Sequence, residues 1–164
     1  MSGKPIVHIY FDAPQWGKSK LSAKKLVTKV VEAAWSKVPN RPKGTLPEVS
    51  ITLTDDASIK ILNKDHRGKD KPTNVLSFPD WDSLEDIPAG IGEVPVGDII
   101  VAFETVEKEA AEQEKSLHNH FCHMITHGFL HLLGYDHMDD AEAEEMESLE
   151  VKILKTLDIP NPYL

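Results

Sequence analysis

A chain of 164 residues, 40% of them hydrophobic, is long enough for one compact domain with a real core and too short for two comfortable ones. The single cysteine, Cys122, excludes an internal disulfide framework, and the apolar run Ile6 to Phe11 is too short for a signal peptide or a membrane span, so a cytoplasmic protein with no membrane contact is expected. Eighteen basic against 27 acidic residues leave a net charge of −9, which argues against broad non-specific binding of nucleic acid.

Ile6 to Phe11 reads as a first strand, and Leu21 to Val38 as an amphipathic helix on the spacing of Val27, Val30, Val31, Ala34 and Val38. After a loop over Pro39 to Pro47, Val49 to Leu53 alternates as a second strand. Thr54 is the expected N-cap of a short helix from Asp55 to about Lys64. Val75 to Phe78 is a third strand. The acidic stretch from Pro79 to Pro95, rich in Pro and Gly, reads as an exposed excursion over about 79–96. Gly97 to Ala102 resumes a buried strand, and helices are expected over Glu104 to Ser116, Leu117 to Leu133 and Asp140 to Leu157, followed by a tail over 158–164. Four strands and about five helices place the chain in the α/β class as a single domain covering 1–164.

Charge is unevenly spread. Lys60, Lys64, Arg67, Lys69 and Lys71 form one basic stretch against Asp65 and Asp70, whereas Asp139 to Glu150 carries seven acidic residues and no basic one. Either run is also what a solvated helix face or loop looks like.

The chemistry concentrates in His127-Gly128-Phe129-Leu130-His131-Leu132-Leu133-Gly134-Tyr135-Asp136-His137. On a helix His127 and His131 share a face, with Cβ atoms about 5–6 Å apart. Gly134 can end that helix in the left-handed conformation and turn the chain so that His137 reaches the same ion. Three imidazole ligands leave one coordination position open, as catalytic zinc sites do. The helix that carries them is apolar over most of its circumference, so it should be buried with the histidine face opening into a cleft. Cys122 falls off that face and reads as a small core residue, whereas His123, one turn before His127, lies near it as a supporting group or an alternative ligand.

Neutral imidazoles leave a bound divalent ion its full charge, which favours an anionic substrate or a hydroxide and makes hydrolysis the natural chemistry. Zinc would lower the pKa of its bound water to about 7, and other divalent transition metals also suit three imidazoles. The same spacing occurs in metzincin peptidases, whose motif has a glutamate directly after the first histidine as general base. Gly128 stands there instead, so peptide hydrolysis is the weaker reading. Phosphodiester cleavage needs only the metal and a cation for the charge developing on phosphorus, and Arg67 is the candidate, with a local ion pair to Asp65 or Asp70 as its ordinary alternative.

These blocks resemble the YbeY family of bacterial endoribonucleases. The histidine motif matches in full, and Leu62-Asn63, Arg67, Lys69-Asp70-Lys71-Pro72-Thr73-Asn74-Val75-Leu76-Ser77-Phe78, apart from Asn74, and Gly97-Asp98-Ile99 match the family's upstream blocks in order from Ile51 to Asp139. The resemblance implies a small mixed sheet packed with helices, a zinc ion on His127, His131 and His137, and Arg67 in the catalytic cleft. It also implies a single-strand-specific endoribonuclease acting in ribosomal RNA maturation at the 3′ end of the small-subunit RNA and in ribosome quality control. The implied partners are single-stranded ribosomal RNA, the small ribosomal subunit with its proteins, and a ribosome-associated GTPase. Asn74 departs from the commoner Asp of the family and is given no catalytic role; Asp98 and Asp136 read equally well as partners of the histidines or as strand-end and turn caps. Two other readings stay open, a non-catalytic ribosome-assembly factor with a structural metal and a metzincin-like peptidase without the motif glutamate.

Overall fold

The computed structural model describes residues 3–164. Four strands form one mixed sheet in the order β1-β2-β4-β3: β1 (Ile6–Phe11), β2 (Thr45–Thr54) and β4 (Gly92–Ala102) run parallel, and β3 (Val75–Pro79) lies antiparallel to β4 at the edge. The register aligns Ile9, Ile51, Ile99 and Ser77 in one row across the sheet. Six α-helices complete the fold: α1 (Pro14–Lys18), α2 (Ala23–Lys37), α3 (Asp56–Arg67), α4 (Phe103–Glu112), α5 (Leu117–Leu132) and α6 (Asp140–Thr156). No helix among the described residues is long and apolar enough to cross a membrane.

α5 is the axis of the molecule. Phe121, Ile125, Phe129, Leu130 and Leu132 are fully buried, and the helix packs on the sheet and against α2, α4 and α6. Ser116 caps its start by accepting the Asn119 amide at 3.0 Å. The side chain of Cys122 is buried in this core, and burial pushes its thiol up to about 12, as a packing residue rather than a ligand requires. The row across the sheet ends where Ser77 Oγ donates to the Gly128 carbonyl at 2.9 Å. A Cβ at position 128 would meet Ile99 Cγ2 at 3.0 Å and Ser77 Oγ and Val75 Cγ2 at 3.3 Å, so this glycine is the contact at which α5 seats on the sheet.

Several expectations change. The segment over 79–96 is only partly an exposed loop: Ile87 and Val94 are buried, Leu84–Asp86 is a 3₁₀ turn, and β4 begins at Gly92. The loop read up to Pro47 already belongs to β2 from Thr45, because Thr45 and Leu46 pair with Gly92 and Glu93. The cap of α3 is Asp55, which accepts the Ser58 amide at 2.9 Å, while the Thr54 hydroxyl donates to Asp12 at 2.9 Å. α1 has no counterpart in the sequence reading; it holds Trp16, which is buried edge-on to Phe103 with its Nε1 on the Thr54 carbonyl at 2.8 Å. The tail over 158–164 folds back onto the body, with Ile159 buried.

Candidate metal centre

His127 and His131 sit one turn apart near the C-terminal end of α5, and the chain then turns through Gly134, which has φ +94. A Cβ there would meet Ser83 Cα at 2.8 Å and Asp82 O at 3.1 Å, so the turn needs glycine both for its torsion and for its closeness to the 79–96 segment. Asp136 Oδ1 accepts the His137 amide at 2.8 Å and fixes the returning strand of chain, which is its turn-capping reading. The result is that one ring nitrogen from each of His127, His131 and His137 lies within 4.8 Å of the other two. His127 Nε2 and His131 Nε2 are 3.0 Å apart, close to the roughly 3.3 Å between two nitrogens on one tetrahedral zinc ion. The three residues can therefore hold one divalent ion.

The residue the sequence reading missed is Glu150. Its carboxylate is fully buried, accepts His127 Nδ1–H at Oε2 over 2.7 Å, and offers Oε1 to His123 Nε2 at 3.2 Å and to the Tyr163 hydroxyl. A proton held on Nδ1 leaves the lone pair of His127 on Nε2, facing His131, which is the carboxylate–histidine arrangement common behind metal ligands. This placement also puts one negative charge just behind the triad, so the ion would not sit uncompensated. A signal was legible: Met146, Leu149, Glu150, Ile153 and Leu154 form the buried stripe of α6, and Glu150 is the acidic residue on it. His123 is thus a partner of Glu150 rather than a member of the ligand set.

Burial alone would raise the Glu150 carboxyl, but hydrogen bonds from His123, His127 and Tyr163 outweigh it and hold it at about 2. Burial, then the like charge of His127, hold the His131 imidazole down to about 4, against an opposing pull from Asp136 and with a smaller push from His137. Both groups carry the same sign of pH dependence. As pH falls from about 6.5 toward 4 the unfolded chain takes up the His131 proton first, and from about 4.5 toward 2 the same holds for Glu150. The metal-free protein should therefore lose stability steadily on acidification below about pH 6.5. Urea midpoints of the chelated protein between about pH 7 and pH 4 test this, and a flat series would contradict it.

Arg67, the last residue of α3, is brought to the same cleft of about 550 Å³ as the triad, with Thr73, Ser77 and Tyr135 also on its wall. Gly68 follows it and ends the helix. Its guanidinium is exposed, and among the described residues it makes no ion pair with Asp65, Asp70 or any other carboxylate. Asn74 donates to Glu109 at 3.0 Å, and Glu109 accepts from the buried His120 at 2.9 Å, a structural network that joins the residue before β3 to α4 and α5. Among the described residues Asp98 makes no hydrogen bond or ion pair with a histidine of the triad: its neighbour Ile99 faces α5, so Asp98 points to the opposite side of the sheet, where burial and then Asp80 raise its carboxyl. At position 128 a Cβ would already press on Ile99, Ser77 and Val75, so the glutamate a metzincin-like peptidase would need there could enter only by displacing the sheet's side chains.

A family model described as Endoribonuclease YbeY matches residues 12–158. The chain is 58% identical over 120 residues to Endoribonuclease YbeY of Rhizobium etli, covering 71% of this chain and 67% of that protein. It is 45% identical over 161 residues to Endoribonuclease YbeY of Agrobacterium fabrum, covering 96% and 94%. Among solved structures it is similar to the solution structure of TM1509 from Thermotoga maritima, with a TM-score of 0.55 and 25% identity over 93% of this chain and 92% of that one.

Proposed function

Since this chain belongs to the YbeY family, we propose that it is a metal-dependent, single-strand-specific endoribonuclease that acts in ribosomal RNA processing at the 3′ end of the small-subunit RNA and in ribosome quality control. The observation that carries this reading is the shared cleft: three imidazoles able to hold one ion and, on the same wall, a guanidinium with no carboxylate partner among the described residues. In this reading zinc is the resident ion, the protein is cytoplasmic, and its partners are the small ribosomal subunit with its proteins and a ribosome-associated GTPase.

Zinc bound there would polarise a phosphate oxygen and lower the pKa of its water to about 7. The chain supplies the rest. Glu150 keeps the His127 proton on Nδ1 and so presents the donor nitrogen. Arg67 grips a non-bridging phosphate oxygen and stabilises charge that develops on phosphorus. Lys64, Lys69 and Lys71, exposed around Arg67, attract the RNA backbone to this one rim of an acidic body, which favours salt-sensitive contacts with a single strand.

Incubation with a single-stranded RNA and its fully paired duplex, with and without a chelator, tests the proposal. Internal cleavage confined to the single strand and stopped by the chelator is expected. Cleavage that persists after chelation would contradict the metal dependence, and no cleavage at all would favour the assembly-factor reading instead.

A further inference from the structure

We propose that the segment 158–164 is a lock on the metal site, in which Tyr163 and Glu150 act as positioning residues for His127. The inference rests on the reading of His127, His131 and His137 as ligands and adds what holds them in register.

The segment is tied to the body at Ile159 and Pro162 and braced within itself at Tyr163. Ile159 is buried with its amide on the Leu154 carbonyl at 3.0 Å, the Pro162 carbonyl accepts Lys115 Nζ at 2.5 Å, and the Tyr163 amide donates to Asn161 Oδ1 at 2.8 Å. These contacts deliver the Tyr163 hydroxyl to Glu150 Oε1, while its ring lies edge-on to His123 with centroids 5.5 Å apart. The other carboxylate oxygen holds His127 Nδ1.

The physical consequence follows from the donor count. Glu150 is a fully buried carboxylate with no lysine or arginine in ion-pair range among the described residues, so its charge is accommodated by three donors only: His127, His123 and Tyr163. With Oε1 pinned by Tyr163 the carboxylate cannot rotate away, and Oε2 stays under His127. Without that hydroxyl, Oε1 keeps a single bond of 3.2 Å to His123, and both the carboxylate and the His127 ring gain freedom. A ligand that must be ordered at the moment of binding holds its ion less tightly. Linkage makes the effect reciprocal: a bound ion should steady the segment as the segment steadies the ion.

The test compares wild type, Tyr163→Phe and Glu150→Gln for affinity toward zinc and cobalt, measured by competition with a chromophoric chelator, together with the visible spectrum of the cobalt form and the melting temperature of the metal-free proteins. Tyr163→Phe keeps the ring against His123 and removes only the hydroxyl, so the inference can fail on it even if Glu150→Gln does not fold. A loss of about tenfold in affinity for Tyr163→Phe and about 10–100-fold for Glu150→Gln, with an altered cobalt spectrum, is expected. Unchanged affinity and spectrum in Tyr163→Phe, whatever its melting temperature, would overturn the lock and leave the segment a packing element. Absence of binding in wild type would remove the ligand reading itself, and is distinguishable because it precedes any variant.

Discussion

Arg67→Ala should reduce RNA cleavage by about 10²–10³-fold while leaving metal content and melting temperature nearly unchanged. The residue is exposed at the C-terminal end of α3 and pairs with no carboxylate among the described residues, so truncation costs the fold little. Its charge matters only where a phosphate enters the cleft. Lysine would restore charge but not the planar fork, so Arg67→Lys should recover only part of the rate. Measurement of kcat and KM separately locates the effect: a loss in kcat assigns Arg67 to the developing charge, and a loss confined to KM assigns it to uniform phosphate binding.

His131→Ala should remove the ion and the activity together. Two imidazoles remain, and His127 Nε2 loses the nitrogen 3.0 Å away that would share its ion. The metal's electrostatic contribution is several kcal/mol, or about a thousandfold and more in rate. The metal-free variant should lose less stability than metal-free wild type on acidification below about pH 6.5, because His131 is the imidazole whose proton uptake burial and its neighbours oppose. Metal analysis of the purified variant and urea unfolding after chelation read the two effects apart.

Much of this architecture was legible in the sequence because it depends on local pattern. The 3.6-residue period of Val27, Val30, Val31 and Ala34 marked α2, and the histidine spacing with Gly134 marked the triad. What stayed hidden depends on partners far along the chain. Thr45–Glu48 and Gly92–Pro95 look like loop because each contains a proline and the second starts with a glycine, yet each stretch is strand because the other pairs with it, and a register irregularity between Glu48 and Val49 falls beside Pro47. α1 is five residues long and has no period to read; Trp16 holds it by reaching Thr54. Glu150 was obscured by company: six other acidic residues between Asp139 and Glu147 are exposed or nearly so, and only its place on the apolar stripe of α6 sets it apart. Gly128 carried a legible absence, the missing glutamate, but not its reason, which is the close approach of Ile99, Ser77 and Val75.

Cleavage of an end-labelled single-stranded RNA by identically purified wild type, Arg67→Ala and His131→Ala tests the central claim most directly, with the product ends distinguishing attack by water from attack by the ribose 2′-OH. Internal cleavage by wild type that both variants lose, the first with its metal still bound and the second without it, is the predicted result. Equal cleavage by all three proteins, or none by any, would contradict the assignment of this cleft as a ribonuclease site.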